Sequence, residues 1–133
     1  MASNEIFRDG DHLSLPVPEG TQAGDPVRVG SLNGVAQTDR ATTTGQDPYN
    51  ADGTANTSYN YGGGNPDGYA SVLLKGVHEF PVGTTTALAI GDPVYITSAG
   101  ALTPTATGNS EFGAAVTAKG TTAGETVRVR IKN

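Results

Sequence analysis

Ala23-Gly24-Asp25-Pro26-Val27-Arg28-Val29 is a phrase that this chain repeats. It returns as Ile90-Gly91-Asp92-Pro93-Val94-Tyr95-Ile96 and, more loosely, as Ala123-Gly124-Glu125-Thr126-Val127-Arg128-Val129. Each copy sets a glycine and an acid ahead of an apolar, an outward and a second apolar residue. Gly and a short acid make a turn, and alternation with a period of two marks a half-buried strand. The shared acids, Asp25, Asp92 and Glu125, sit where a carboxylate bonds nearby backbone N–H groups, so the repetition gives them a structural role.

Outward from these copies the pattern stays β. Leu13, Leu15 and Val17 alternate on one face ahead of a Pro18-Glu19-Gly20 turn. Asn33-Gly34 is a strong hairpin signal and predicts a return strand over residues 35–38. The second copy repeats that hairpin, turning at Ala99-Gly100, which suggests an internal duplication or two symmetric halves of one barrel. Residues 69–75 read as a central strand buried on both faces. Gly76 predicts a bend before a strand at 77–82, and residues 84–89 fit an edge strand or a short helical turn. Further strands are expected at 112–118 and 126–132, the last with Val127, Val129 and Ile131 inward and Arg128 and Arg130 on a solvated face. No helical period is sustained. The fold class is all-β, a small single-domain β-barrel or β-sandwich. Residues 1–11 form an extended N-terminal arm, and residues 12–133 form the β-domain.

Residues 41–68 interrupt the alternation. They hold no Val, Ile, Leu, Phe or Met, but three of the five tyrosines (Tyr49, Tyr59 and Tyr61) and the run Gly62-Gly63-Gly64. A loop this long in a compact domain is either functional or a floppy insertion. Tyrosine offers a broad apolar face and a hydroxyl at low entropic cost, which makes Tyr49, Tyr59 and Tyr61 a candidate interaction loop.

Composition narrows the function. The net charge of −5 and the scattered basic residues leave no footprint for nucleic acid. There is no cysteine, hence no disulfide framework and no thiolate metal site. No signal-peptide pattern and no apolar run of membrane-spanning length appear, so synthesis in a cytoplasm and no membrane partner are expected. Val, Ile, Leu and Phe total only 25 of the 133 residues. So thin an apolar supply favours a protein that gains stability from copies of itself or from a partner.

Chemical motifs come close and fail. The stretch from Gly113 to Lys119-Gly120 resembles a phosphate loop, but Ala118 precedes the lysine where glycine is needed, and Gly120 follows where a hydroxyl is needed. Asp47, Asn50, Asp52 and Gly53 hint at a calcium loop, yet the alternating carboxylates and the terminal Glu are missing. His12 and His78 have no partner at triad spacing. No catalytic residue, cofactor or metal is expected. A glycoside hydrolase or an NTPase is the least favoured class.

Several segments together resemble a known family. Gly10-Asp11-His12-Leu13-Ser14-Leu15-Pro16-Val17, the first Gly-Asp-Pro-Val copy with Leu32-Asn33-Gly34-Val35-Ala36, then Gly64-Asn65-Pro66-Asp67-Gly68-Tyr69-Ala70, the second copy, Leu102-Thr103-Pro104-Thr105-Ala106-Thr107-Gly108-Asn109 and Phe112-Gly113 span nearly the whole chain. In this order they are similar to the capsid cement, or head-decoration, proteins of tailed bacteriophages. The resemblance implies a homotrimer on the outer surface of the mature phage head, at local threefold positions. There it would tie neighbouring major capsid proteins together, as a structural protein and not an enzyme. The arm then becomes the candidate capsid contact: Asn4, Glu5, Ile6, Phe7, Arg8 and Asp9, with Ile6 and Phe7 as apolar anchors that add a strand to a sheet edge on the shell. The alternative is a surface-displayed carbohydrate- or receptor-binding β-module that uses the three loop tyrosines.

Overall fold

The computed structural model describes residue 6 and residues 10–133, and these form an all-β protein. The strands are β1 (His12–Pro16), β2 (Pro26–Val29), β3 (Leu32–Ala36), β4 (Tyr69–Leu73), β5 (Val77–Val82), β6 (Pro93–Ile96), β7 (Leu102–Thr103), β8 (Ser110–Ala115) and β9 (Glu125–Ile131). Four of them make an antiparallel sheet in the order β1-β4-β3-β2, and the other five close a barrel in the order β5-β7-β6-β8-β9. Gly76, with φ +98°, lies at the passage from the sheet to the barrel, as the expected bend requires.

The repeated phrase encodes one local device three times. Gly24 donates to the Ala36 carbonyl (2.7 Å), while Ala36 donates to the Asp25 carbonyl (2.9 Å). Two residues of one strand thus oppose one of its partner, which is a β-bulge whose first residue is a left-handed glycine. Gly91 and Asp92 do the same against Ala115 (2.7 and 2.9 Å). Gly124 donates to the Val82 carbonyl (3.0 Å), and Glu125 is paired with Val82. The three glycines have φ of +94°, +93° and +77°, a region that strains any residue with a Cβ. The acids brace the bend: Asp25 accepts from the Gln22 N–H (2.9 Å) and Asp92 from the Ala89 N–H (2.8 Å). The longer Glu125 reaches back to Gly120 N–H instead (3.1 Å).

The copies are not halves of one barrel. The first borders the sheet, pairing with β3, and the other two lie in the barrel, against β8 and β5. The first hairpin also turns elsewhere than its sequence suggests. Val29 pairs with Leu32, so the turn is Gly30-Ser31, with Gly30 at φ +63°. Asn33-Gly34 lies inside β3 and is buried. A Cβ at Gly34 would lie 2.7 Å from the Leu73 carbonyl oxygen, so glycine is needed there for close strand approach and not for a turn. The second hairpin turns at the expected place, with Thr97 donating to the Ala101 carbonyl (2.9 Å). Residues 84–89 form neither a named strand nor a helical turn, and only Leu88 bridges to Lys119.

Two apolar clusters result. The barrel encloses Phe80, Val82, Val94, Ile96, Leu102, Phe112, Val127, Val129 and Ile131, with Val35 and Leu73 contributed by the sheet. Phe80 and Phe112 meet edge to face at 5.7 Å and 83°, a favoured aromatic geometry. The sheet's other face gathers Val17, Val27, Ala36, Ala70, Val72 and Leu74, rimmed by half-buried Leu13, Leu15, Val29 and Leu32. A polar latch joins sheet to barrel. The Asn33 amide donates to the carbonyls of Glu111 (3.0 Å) and Lys132 (2.8 Å) and accepts from Arg28 Nη1 (2.8 Å). Asn133 accepts from Asn33 N–H (2.7 Å) and donates to the carbonyls of Asn33 (2.8 Å) and Leu74 (2.7 Å). Arg28, the outward residue of the first copy, is therefore half-buried in this latch.

Candidate functional site

The loop between β3 and β4 is tied down at its base. Ala41 donates to the Tyr69 carbonyl (2.9 Å) and accepts from Gly68 N–H (2.8 Å). Thr42 and Asn60 exchange both backbone bonds (2.8 and 2.9 Å). Carboxylates then fix the flanks. Asp67 accepts from the N–H groups of Thr43 (2.6 Å) and Thr44 (3.3 Å), and these bonds hold its pKa below the ordinary 3.8. Asp39 joins the first bulge to the loop, accepting from Ala23 N–H (2.8 Å) and Asn60 Nδ2 (2.9 Å); Ala23 first and Asn60 second lower its pKa. The Gly62–Gly64 turn has φ of +60°, +66° and +85°. Gly62 is also pressed on Ala41, where a Cβ would fall 2.5 Å from the Ala41 Cα. Both facts explain the glycine run.

At the tip, Tyr49 bridges to Ala55 and the chain turns at Asp52-Gly53. Asp52 accepts from the Thr54 hydroxyl (2.6 Å) and N–H (3.0 Å), which lower its pKa in that order. This is turn chemistry, and it accounts for Asn50, Asp52 and Gly53 of the calcium-like stretch. The framework displays Tyr49 and Tyr61, 66% and 68% exposed, while Tyr59 is half-buried. No ring contact joins the three among the described residues, so they present separate faces.

Of the arm, Ile6 is 83% exposed; Asn4, Glu5, Phe7, Arg8 and Asp9 lie outside the described residues. Lys119, the lysine of the failed phosphate loop, is buried, and its ammonium donates to the carbonyls of Thr84, Thr86 (3.3 Å) and Gly120 (3.0 Å). All three of its donors are occupied by backbone, so it holds residues 84–86 onto the barrel. His78 donates from Nε2 to the Lys75 carbonyl (3.0 Å) and lies beside Phe80. Among the described residues no group of three or more His, Cys, Asp or Glu gathers. An open groove of about 670 Å³ lies between β2 and the β6–β7 hairpin, lined by Pro18, Glu19, Pro26, Ile96 and Leu102 among others. Its lining also holds the hydroxyls of Ser98 and Ser110 and the carboxylates of Glu19 and Asp25, and no hydrogen bond joins a hydroxyl to a carboxylate there among the described residues.

The outward residues of β9 and the residue that follows the strand form more than a solvated face. Arg128 pairs with Glu79 (3.0 Å) and Lys132 with Glu111 (2.9 Å), both at exposed positions. The sequence offered alternation along β9, but not the strands beside it.

A family model described as phage cement protein matches residues 7–131. No curated protein and no solved structure matches.

Proposed function

The chain belongs to the phage cement protein family, and from that premise we propose that it decorates the outer surface of the mature phage head as a homotrimer at local threefold positions. Membership carries a structural role in the virion and a capsid partner. The family match over nearly the whole chain is the observation that supports the finer reading. The partner is the major capsid protein. The arm, Asn4 to Asp9, is the segment that engages it, with Ile6 and Phe7 inserted as apolar anchors while backbone hydrogen bonds extend a sheet edge. Exposure of Ile6, just ahead of β1, is consistent with that role. Many modest contacts on one particle add through multivalency.

Co-sedimentation with expanded and precursor capsids tests this. Expanded shells are expected to retain the protein and precursor shells to release it; no binding to expanded shells overturns the proposal. Deleting residues 1–9 should weaken capsid binding at least tenfold while leaving the thermal unfolding midpoint in place. Unchanged binding removes the arm from the contact.

The exposed rings of Tyr49 and Tyr61 on a hydrogen-bonded loop favour a second reading, a glycan- or receptor-binding surface displayed on the particle. Glycan-array binding that disappears in Tyr49→Ala and Tyr61→Ala supports it, and an empty array removes it.

A further inference from the structure

Three cations stand at alternate outward positions, Arg128 and Arg130 on β9 and Lys132 just past its end. Cross-strand acids neutralise the outer two, and Arg130 between them has no ion pair or side-chain hydrogen bond among the described residues. Its register partners are apolar. Val77 on β5 faces it from one side and Ala114 on β8 from the other, and Ala114 is paired in turn with Pro93 on β6. Residues paired directly across a sheet share a face. One row over four strands therefore reads Val77, Arg130, Ala114, Pro93. Val116, two positions beyond Ala114, continues the apolar ground. Ile90 lies beside it, because residues 88–91 run antiparallel to 115–119 through the Leu88–Lys119 and Gly91–Ala115 bonds. Val77 is 50% exposed, Ile90 71% and Val116 36%; these are three of the six exposed large apolar side chains among the described residues.

We propose that this wall of the barrel, built by β5, β9, β8 and β6, is the face through which copies of the chain associate, with Arg130 of one copy receiving a carboxylate of the next. Arginine amid apolar neighbours suits an interface, since its weakly hydrated, planar guanidinium binds carboxylate bidentately. The partner must then bring acid. This chain carries 13 acidic against 8 basic residues, so a second copy brings a surplus. Glu19 and Asp47 are exposed, and their carboxylates have no hydrogen bond or ion pair among the described residues. The proposal rests on the self-association in the cement reading and gives that association a location.

Sedimentation velocity of the full chain, up to millimolar concentration, tests it. Ile90→Lys, Val77→Lys and Arg130→Glu change exposed side chains only, and circular dichroism checks that each variant folds. Wild type is expected to form oligomers, each variant to associate at least tenfold more weakly, and Tyr61→Ala to match wild type. A monomeric wild type, or variants that associate like it, overturns the proposal. Capsid co-sedimentation in parallel separates the two ideas. Variants that keep their oligomers but lose expanded capsids would make the wall a shell contact and overturn the proposal. A wild type that ignores capsids, with variants that fall apart, would leave the wall standing and remove the cement reading.

Discussion

Gly113 has the least freedom of any glycine in the barrel. A Cβ there would lie 2.1 Å from the Arg130 carbonyl oxygen, a backbone atom that cannot turn aside. Gly113→Ala is expected to cost about 1–3 kcal/mol or more, read as a lower urea midpoint, because strands β8 and β9 must separate. The bulge glycines fail for another reason. Around Gly24 and Gly91 a Cβ meets nothing within 4 Å, yet both hold positive φ. Gly24→Ala and Gly91→Ala should each cost about 1–2 kcal/mol through backbone strain alone. Similar losses at the two sites would show that one device serves both sheets. Asn33→Ala takes the Asn33 amide from the Lys132 carbonyl and the Asn33 acceptor from Arg28 Nη1, while the Glu111 carbonyl keeps its bond from Arg28 Nη1 (3.3 Å); the expected cost is about 1–3 kcal/mol for each group left unsatisfied. An unchanged midpoint in that variant would contradict the latch.

Elements were legible where the period of two faces a single core. β9 shows this best, with Val127, Val129 and Ile131 buried and the residues between them outward. The glycine-acid corners were legible too, since their bonds are local. Pairing was not, because a period gives the face of a strand but not its neighbour. Asn33-Gly34 misled for a related reason: its hairpin tendency is local, while its use is tertiary, in close packing and in the latch. The apolar-free loop announced itself by composition, but not the carboxylates that brace it. Those carboxylates predict a pH response. Asp39, Asp52 and Asp67 are held below 3.8 when folded, so their stabilising bonds are complete above that value and are lost as pH falls beneath it. Amide resonances of Ala23, Thr43, Thr44 and Thr54 should shift below about pH 4, ahead of those in the barrel. Simultaneous change in barrel and loop would deny the loop its separate brace.

In the whole molecule, sheet and barrel share Val35 and Leu73 and are bolted by Asn33 and Asn133. A single unfolding transition, coincident by circular dichroism and tyrosine fluorescence, is expected. Phe80→Ala or Phe112→Ala should cost about 3–5 kcal/mol and lower both signals together, because each ring is fully enclosed. Two separate transitions would mean that the sheet stands alone. Closure of the barrel also has a consequence in time. β5 finds its long partner only in β9, from Val77 with Arg130 to Val82 with Glu125. During synthesis on the ribosome, Phe80 waits uncovered while some fifty residues are added behind it, a delay of seconds at ordinary elongation rates of about 5–20 residues per second. The nascent chain thus passes through a sticky interval, and a host short of chaperones should yield aggregates before it yields finished protein.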